Sequence, residues 1–217
     1  ITRPEHIAPI LARRPECMVT ANTDLAPFLT KASVIVIGPG LGQQEWGQSL
    51  LRQALATDLP LVLDADALNL LAQWQALGDP LLKHPEKQRR RVITPHPGEA
   101  ARLLGKNTAE LQRNRFDTVQ ALQQQYAAVA ILKGAGSLIA GENGKIWLSC
   151  AGNPGMGSGG MGDVLSGVIG GLMAQGLPLE PAAAAAVWIH GTAADLAVRE
   201  QGERGLLATD LMPRLRQ

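Results

Sequence analysis

The sequence predicts an α/β fold in three layers, α/β/α, built on a mainly parallel central sheet. Short β-branched or Leu-rich runs alternate with longer helical patterns, the signature of parallel strands joined by crossover helices. Aromatic residues make up only 3% of the chain while Ala, Leu and Gly abound, which favours helices packed closely on a sheet over a β-sandwich. Glycines and charged residues gather just after the strands, where open α/β sheets bind ligands. The 217 residues contain no linker, repeat or low-complexity tract, so residues 1–217 read as a single domain.

A helix is expected over 4–13, then strands over 17–20 and 34–37. A helix over 44–56 leads to a strand over 61–63 and a helix over 67–73. A strand over 92–94 precedes helices over 98–104 and 108–126. The last of these opens with a Thr108 cap followed by Glu110, and lines Leu111, Arg115, Val119 and Leu122 along one stripe. A strand over 129–132 follows. Runs at 138–140 and 145–148 flank Gly141-Glu-Asn-Gly144, a turn signal for one antiparallel hairpin. Helices over 162–175, 181–200 and 208–214 complete the chain, with the alanines at 182–186 suited to tight packing.

A net charge of +1 leaves no basic stripe for nucleic acid, and the one basic cluster, Lys87 to Arg91, reads as a solvated loop before a strand. Cys17 and Cys150 form no CxxC pair and no secretory signal is present, which points to a reduced, cytoplasmic setting. The apolar stretch 164–177 is too short to span a bilayer and is broken by four glycines. The opening Ile1-Thr-Arg-Pro reads as though a strand had just ended, so a missing N-terminal segment is expected.

Five strand ends carry the candidate chemistry: Gly38-Pro-Gly-Leu-Gly42, Asp64-Ala-Asp66, Pro95-His-Pro-Gly-Glu99, Lys133-Gly-Ala-Gly-Ser137 and the segment Gly155-Met-Gly-Ser-Gly-Gly-Met-Gly-Asp163. In the last, bare amides at a helix N-terminus suit phosphate oxygens, because the helix dipole points at the anion and no side chain blocks approach. Asp163 then reads either as the helix cap or as a base that takes a proton from an attacking hydroxyl. No Gly-Lys-Ser/Thr follows, and the spacing misses GxGxxG, which excludes a P-loop and a dinucleotide fingerprint. Lys133 to Ser137 reads as a second phosphate or ribose contact, or as a hairpin turn. His96 is either a ligand contact or an exposed residue before a helix whose first amides Glu99 satisfies. Asp64 and Asp66 suit Mg²⁺ held through water, with Asp66 equally suited to capping the following helix. His190, mid-helix beside Trp188 and Ile189, reads as a core or interface histidine.

Taken together, Gly38-Pro-Gly-Leu-Gly42, Asp64-Ala-Asp-Ala-Leu-Asn69, Thr94-Pro-His-Pro-Gly-Glu-Ala-Ala-Arg-Leu103, Lys133-Gly-Ala-Gly-Ser137 and Asn153-Pro-Gly-Met-Gly-Ser-Gly-Gly-Met-Gly-Asp163 resemble, in family order, the ADP-dependent NAD(P)H-hydrate dehydratases of the ribokinase-like superfamily. Vitamin kinases of that superfamily usually place Asn-x-x-Glu where this chain has His96-Pro-Gly-Glu99. The resemblance implies that ADP phosphorylates the ring hydroxyl of hydrated NADH or NADPH, that phosphate then leaves, and that AMP and phosphate are the co-products. It implies Asp163 as catalytic base and hydrate contact, and Gly42 and His96 as hydrate contacts. Lys133, Gly134, Ala135, Gly136, Ser137 and Gly162 would hold the nucleotide, and the backbone of Gly159, Gly160 and Met161 its phosphate. Mg²⁺ would accompany ADP, with Glu99 reaching it through water. A homo-oligomer, a tetramer in this family, and a hydrate-epimerase domain fused upstream are further expectations. The chain departs from the family pattern at Met161, usually Thr, and at Ser137, often Thr. Family members also carry a glycine-rich segment upstream of the position that corresponds to residue 1, and its absence here is an expectation.

Overall fold

The computed structural model describes residues 1–79 and 90–217. Six strands form one sheet in the order β1 (Ile35–Ile37), β2 (Leu61–Leu63), β3 (Arg91–Ile93), β4 (Val129–Leu132), β5 (Leu138–Ala140), β6 (Ile146–Leu148). The first four are parallel, and β5 and β6 pair antiparallel as consecutive hairpins, the second around Gly141–Gly144. With β5 reversed, β6 runs with β1 to β4, so the carboxyl ends of five strands share one rim.

Period-two alternation divides the core between two faces. Leu61, Leu63, Ile93, Ala130 and Leu132 point to one face. They pack there against α3 (Glu45–Leu55), α4 (Ala65–Ala76), α5 (Pro97–Leu104) and α7 (Arg115–Tyr126). Val62, Val92, Val129 and Ile131 point to the other, against Leu165, Ile169 and Met173 of α8 (Met161–Ala174) and the alanines of α9 (Leu179–Gln201). Each large aliphatic side chain buried this way contributes about 1.5–3 kcal/mol. A third cluster, Met161 with Ala193, Ala194, Ala197, Leu206 and Leu211, fastens the start of α8 to α9 and to α10 (Ala208–Leu211).

Several expectations are corrected. Residues 17–20 form no strand; backbone bonds from Thr2 N to Thr20 O at 2.9 Å and from Cys17 N to Arg14 O at 3.1 Å hold their two ends, and Met18 is fully exposed. The first helix is a short 3-10 turn followed by α1 (Ile7–Arg13), and α2 (Ala26–Leu29) was not foreseen. The helix expected over 108–126 breaks at Asn114 (φ −127°, ψ 56°) into α6 (Thr108–Arg113) and α7. Asn107, not Thr108, caps α6, accepting from Ala109 N at 2.8 Å. At the break the Thr118 hydroxyl donates to the carbonyls of Leu111 and Asn114, supplying partners the interrupted helix lacks. Arg91 is not loop but the first residue of β3, 4% exposed, its guanidinium pushed down to about 10 by burial. Lys87 to Arg89 lie outside the described residues. Among the described residues no helix is long and apolar enough to cross a membrane.

Candidate active site

At the centre of the rim, just past β2 and β4, Asp64 and Lys133 form a buried ion pair. The Asp64 carboxylate is 1% exposed and accepts from Lys133 Nζ at 2.8 Å, Ser166 Oγ at 2.7 Å and Ala65 N at 2.9 Å. Burial pushes this carboxyl up, but the Lys133 charge and the hydrogen bonds from Lys133, Ser166 and Thr94 outweigh it and hold the group below the usual carboxylate value. Asp64, not Asp66, is the N-cap of α4. Asp66 instead receives Gly42 N at 2.9 Å and Gln43 Nε2 at 3.0 Å, so both its oxygens serve protein donors. Gly38 must be glycine here: at φ +133° a Cβ would lie 1.7 Å from the Asp64 carbonyl oxygen.

Past β3, His96 and Glu99 build a capping box at the start of α5. His96 Nδ1 accepts from Gly98 N at 3.0 Å and Glu99 N at 3.3 Å, while Glu99 Oε2 accepts from His96 N at 2.8 Å. With Nδ1 the acceptor, the ring proton sits on Nε2, 3.5 Å from Glu99 Oε1. Burial lowers the His96 pKa first, Glu99 opposes it, and Lys133 and Arg102 lower it further, so the ring is neutral. The sequence expectation had Glu99 do the capping; the imidazole shares that work and still leaves its side chain half exposed on the rim. Glu99 is buried and lies 3.9 Å from Lys133 Nζ, so Lys133 joins the two carboxylates.

The glycine segment enters α8 through Gly160, a left-handed residue (φ 85°, ψ −10°) that makes no side-chain cap. The amides of Met161, Gly162 and Asp163 are the first three of the helix and have no intrahelical acceptor. Because the helix begins at Met161, Asp163 is not its cap. Its side chain is exposed and makes no hydrogen bond or ion pair among the described residues. Burial of part of the group raises its pKa, the negative charge of Asp64 adds to this, and Lys133 opposes it. A Cβ on Gly162 would stand 3.1 Å from Lys133 Nζ, which places the lysine ammonium beside the bare amides.

Next to this anion site a cleft of about 470 Å³ runs between the β4–β5 loop and the turn before α8, in the size range of small-ligand pockets. Lys133, Gly134, Ala135, Gly136 and Ser137 form one wall, and Gly152, Asn153, Val187 and His190 are among those forming the other. Both walls are braced from behind. The Arg115 guanidinium donates to the carbonyls of Ala135, at 2.5 Å, and Leu132, at 3.4 Å. Asp195 accepts from Gly152 N and Asn153 Nδ2, each at 2.9 Å. His190 is buried, as the sequence indicated, but in the cleft wall, where burial takes its pKa down to about 4. Among the described residues no group of three or more His, Cys, Asp or Glu would hold a metal by itself. Glu99, expected to reach Mg²⁺ through water, is buried with Oε2 accepting from His96 N at 2.8 Å.

Of the expected residues, His96 is joined to Glu99, Gly42 is held by Asp66, and Lys133 stands beside Gly162. Arg115, Ser166 and Asp195 escaped the sequence reading. A lone carboxylate and a lone hydroxyl inside apolar helices were the available signal for Asp195 and Ser166; Arg115 was taken for part of a helical stripe.

A three-layer α/β/α fold with a bare helix terminus, a carboxylate in its first turn and a cleft beside it defines a ribokinase-like domain. The family model for NAD(P)H-hydrate dehydratase matches residues 1–217, and the chain belongs to that family. It is 54% identical over 218 residues to a bifunctional NAD(P)H-hydrate repair enzyme of Coxiella burnetii, covering 99% of this chain but only 43% of that protein. It is 39% identical to an ADP-dependent (S)-NAD(P)H-hydrate dehydratase of Neisseria meningitidis, covering 95% of this chain and 69% of the relative. The crystal structure of the ADP/ATP-dependent NAD(P)H-hydrate dehydratase of Bacillus subtilis, co-crystallised with ATP and Mg²⁺, superposes with a TM-score of 0.81 at 30% identity, covering 99% of this chain and 75% of that one.

Proposed function

We propose that this chain dehydrates hydrated NADH or NADPH at the expense of ADP, restoring the reduced cofactor and releasing AMP and phosphate. The observation that carries this reading is the position of Asp163, an unpaired carboxylate in the first turn of α8, beside the free amides and the Lys133 ammonium. Family membership and the names of the relatives support the substrate pair.

ADP lies with its nucleoside in the cleft between Lys133–Ser137 and His190, and its β-phosphate at the amides of Gly159 to Asp163. Gly42 and His96 line the hydrate side, where His96 presents Nε2–H. Asp163 removes the proton from the ring hydroxyl; the hydroxyl oxygen bonds to the β-phosphorus, and the bond from that phosphorus to the bridging oxygen breaks, freeing AMP. The amides and Lys133 stabilise the charge on the transferring group. The ring carbon–oxygen bond then breaks with phosphate as leaving group, which departs far more readily than hydroxide, and loss of a ring proton restores the dihydropyridine. Mg²⁺, reached by Asp163 and by Glu99 through water, supplies charge neutralisation on the phosphates when bound.

Relatives named bifunctional, of which the chain covers less than half, support a fused hydrate-epimerase domain in the whole protein. Trp188, 60% exposed on the Ala-rich α9, is the face assigned to homo-oligomer contact, in a tetramer as in the family. Exposed free thiols at Cys17 and Cys150 suit a reducing cytoplasm.

Replacing Asp163 by Asn tests the reading. Hydrate turnover falls by about 10²–10⁴-fold, the usual worth of a positioned general base, while ADP binds with unchanged affinity. Turnover within a few-fold of wild type removes Asp163 from the mechanism. Its raised pKa sets the pH dependence: activity requires the ionised form, so kcat/KM declines on acidification already above pH 3.8, the ordinary Asp value.

A further inference from the structure

The amides assigned to the phosphate open α8 with no side chain to cap them, because Gly160 stands at the N-cap. Helix ends fray, and a turn of bare N–H groups has little of its own to keep its shape. Gly160 and Gly162 have no side chain to pack and Asp163 is exposed, so the hold on this turn falls to Met161. Its side chain is buried among Ala193, Ala194 and Ala197 of α9 and Leu206 and Leu211 of the C-terminal segment. None of these five lines the nucleotide cleft. The socket they form is tied together from outside: the buried Arg214 donates to the Asp210 carbonyl at 2.6 Å and to the Glu200 carboxylate, joining the C-terminal segment to α9. That segment also abuts the glycine run, where a Cβ at Gly155 would stand 2.7 Å from the Glu203 carbonyl oxygen and one at Gly160 3.2 Å from Ala208 Cβ.

Resting on the function proposed above, we infer that Met161 is a positioning residue for ADP: seated in the socket of α9 and the C-terminal segment, it fixes the amides that take the β-phosphate. Met161 carries one of those amides itself, so the packing of its side chain sets the direction of its own N–H and of the two that follow. Where the family usually has Thr, this chain holds the terminus through the core. Leu206 and Leu211, which contact no ligand in the proposed reaction, thereby contribute to nucleotide affinity.

The test is ADP binding at equilibrium, with urea denaturation of the same samples, for Met161→Ala and Met173→Ala. Met173 is another buried methionine of α8, about 18 Å further along the helix in the other core cluster. Both substitutions empty a packed site and lower the urea midpoint. Met161→Ala is expected to raise the Kd for ADP about tenfold, while Met173→Ala binds ADP as wild type does. Met161→Leu refills the socket and restores the wild-type Kd; Leu211→Ala empties it from the other side and reproduces the loss. Equal Kd in wild type and Met161→Ala, equal losses in the two alanine variants, or tighter ADP binding by Met161→Thr overturns the inference. ADP-dependent turnover of hydrated NADH by wild type is read in parallel. Turnover without Met161-dependent ADP binding rejects the positioning role alone, and Met161-dependent ADP binding without turnover rejects the proposed reaction alone.

Discussion

The two halves of the site are made of different materials. The half assigned to the nucleotide, from Lys133 to Ser137 and from Gly159 to Asp163, presents mostly backbone. It depends on left-handed glycines such as Gly160 and is braced from behind by Arg115 and Asp195. The half assigned to the hydrate presents side chains, each committed to a local hydrogen bond: His96 and Glu99 to one another's amides, and Asp66 to Gly42 and Gln43. A phosphate is met by amides that many sequences can supply once the chain turns correctly. A particular ring with its hydroxyl needs specific side chains at fixed angles. Lys133 touches both halves, paired with Asp64 and 3.9 Å from Glu99.

Removing that bridge gives the largest stability effect. Lys133→Met strands the buried Asp64 carboxylate without its partner and is expected to cost about 3–5 kcal/mol in urea denaturation. A loss under 1 kcal/mol would show that the pair does not hold the halves together. Protonation of His190 comes next. Its folded pKa of about 4 lies below the ordinary 6.5, so between those values the unfolded chain binds the proton and the folded chain does not. The stability associated with the neutral ring is therefore complete above pH 6.5 and is lost as pH falls toward 4, by at most about 3 kcal/mol. Denaturation series at several pH values should show this slope in wild type and its absence in His190→Gln.

Smaller, and more informative about the contrast, is a matched pair of substitutions. Gly160→Ala forces a Cβ into the left-handed region at about 1–2 kcal/mol and disturbs the amides, so it raises KM for ADP and spares KM for the hydrate. His96→Ala removes the cap of α5 at about 1 kcal/mol and does the reverse, raising KM for the hydrate only. If both variants shift the same KM, the division into two halves is wrong.

The architecture was legible because the sheet repeats simple signals. Apolar runs followed by Gly38, Asp64, Thr94-Pro95 and Lys133 marked β1 to β4, and Gly141–Gly144 marked the last hairpin. Failures occurred where local pattern and tertiary context disagree. Residues 17–20 look like a strand but find no neighbour to pair with, and residues 108–126 keep one helical pattern across a break that only packing reveals. At the site, motif positions were visible and their couplings were not. The buried Asp64–Lys133–Ser166 set joins residues separated by 69 and 102 positions, a proximity no local period encodes. The rival roles of Asp163 and Asp66 as caps were decided by where each N-cap falls, three residues before Asp163 and two before Asp66. With Gly160 and Asp64 at the N-cap positions, one carboxylate is free and the other holds Gly42.

The most direct test is product stoichiometry. When the chain is mixed with ADP and hydrated NADH and the phosphorus species are followed by ³¹P NMR alongside NADH absorbance, AMP, phosphate and NADH should appear in equal amounts. A phosphorylated product that accumulates without phosphate release, or NADH formed with no ADP consumed, would contradict phosphoryl transfer followed by elimination at Asp163.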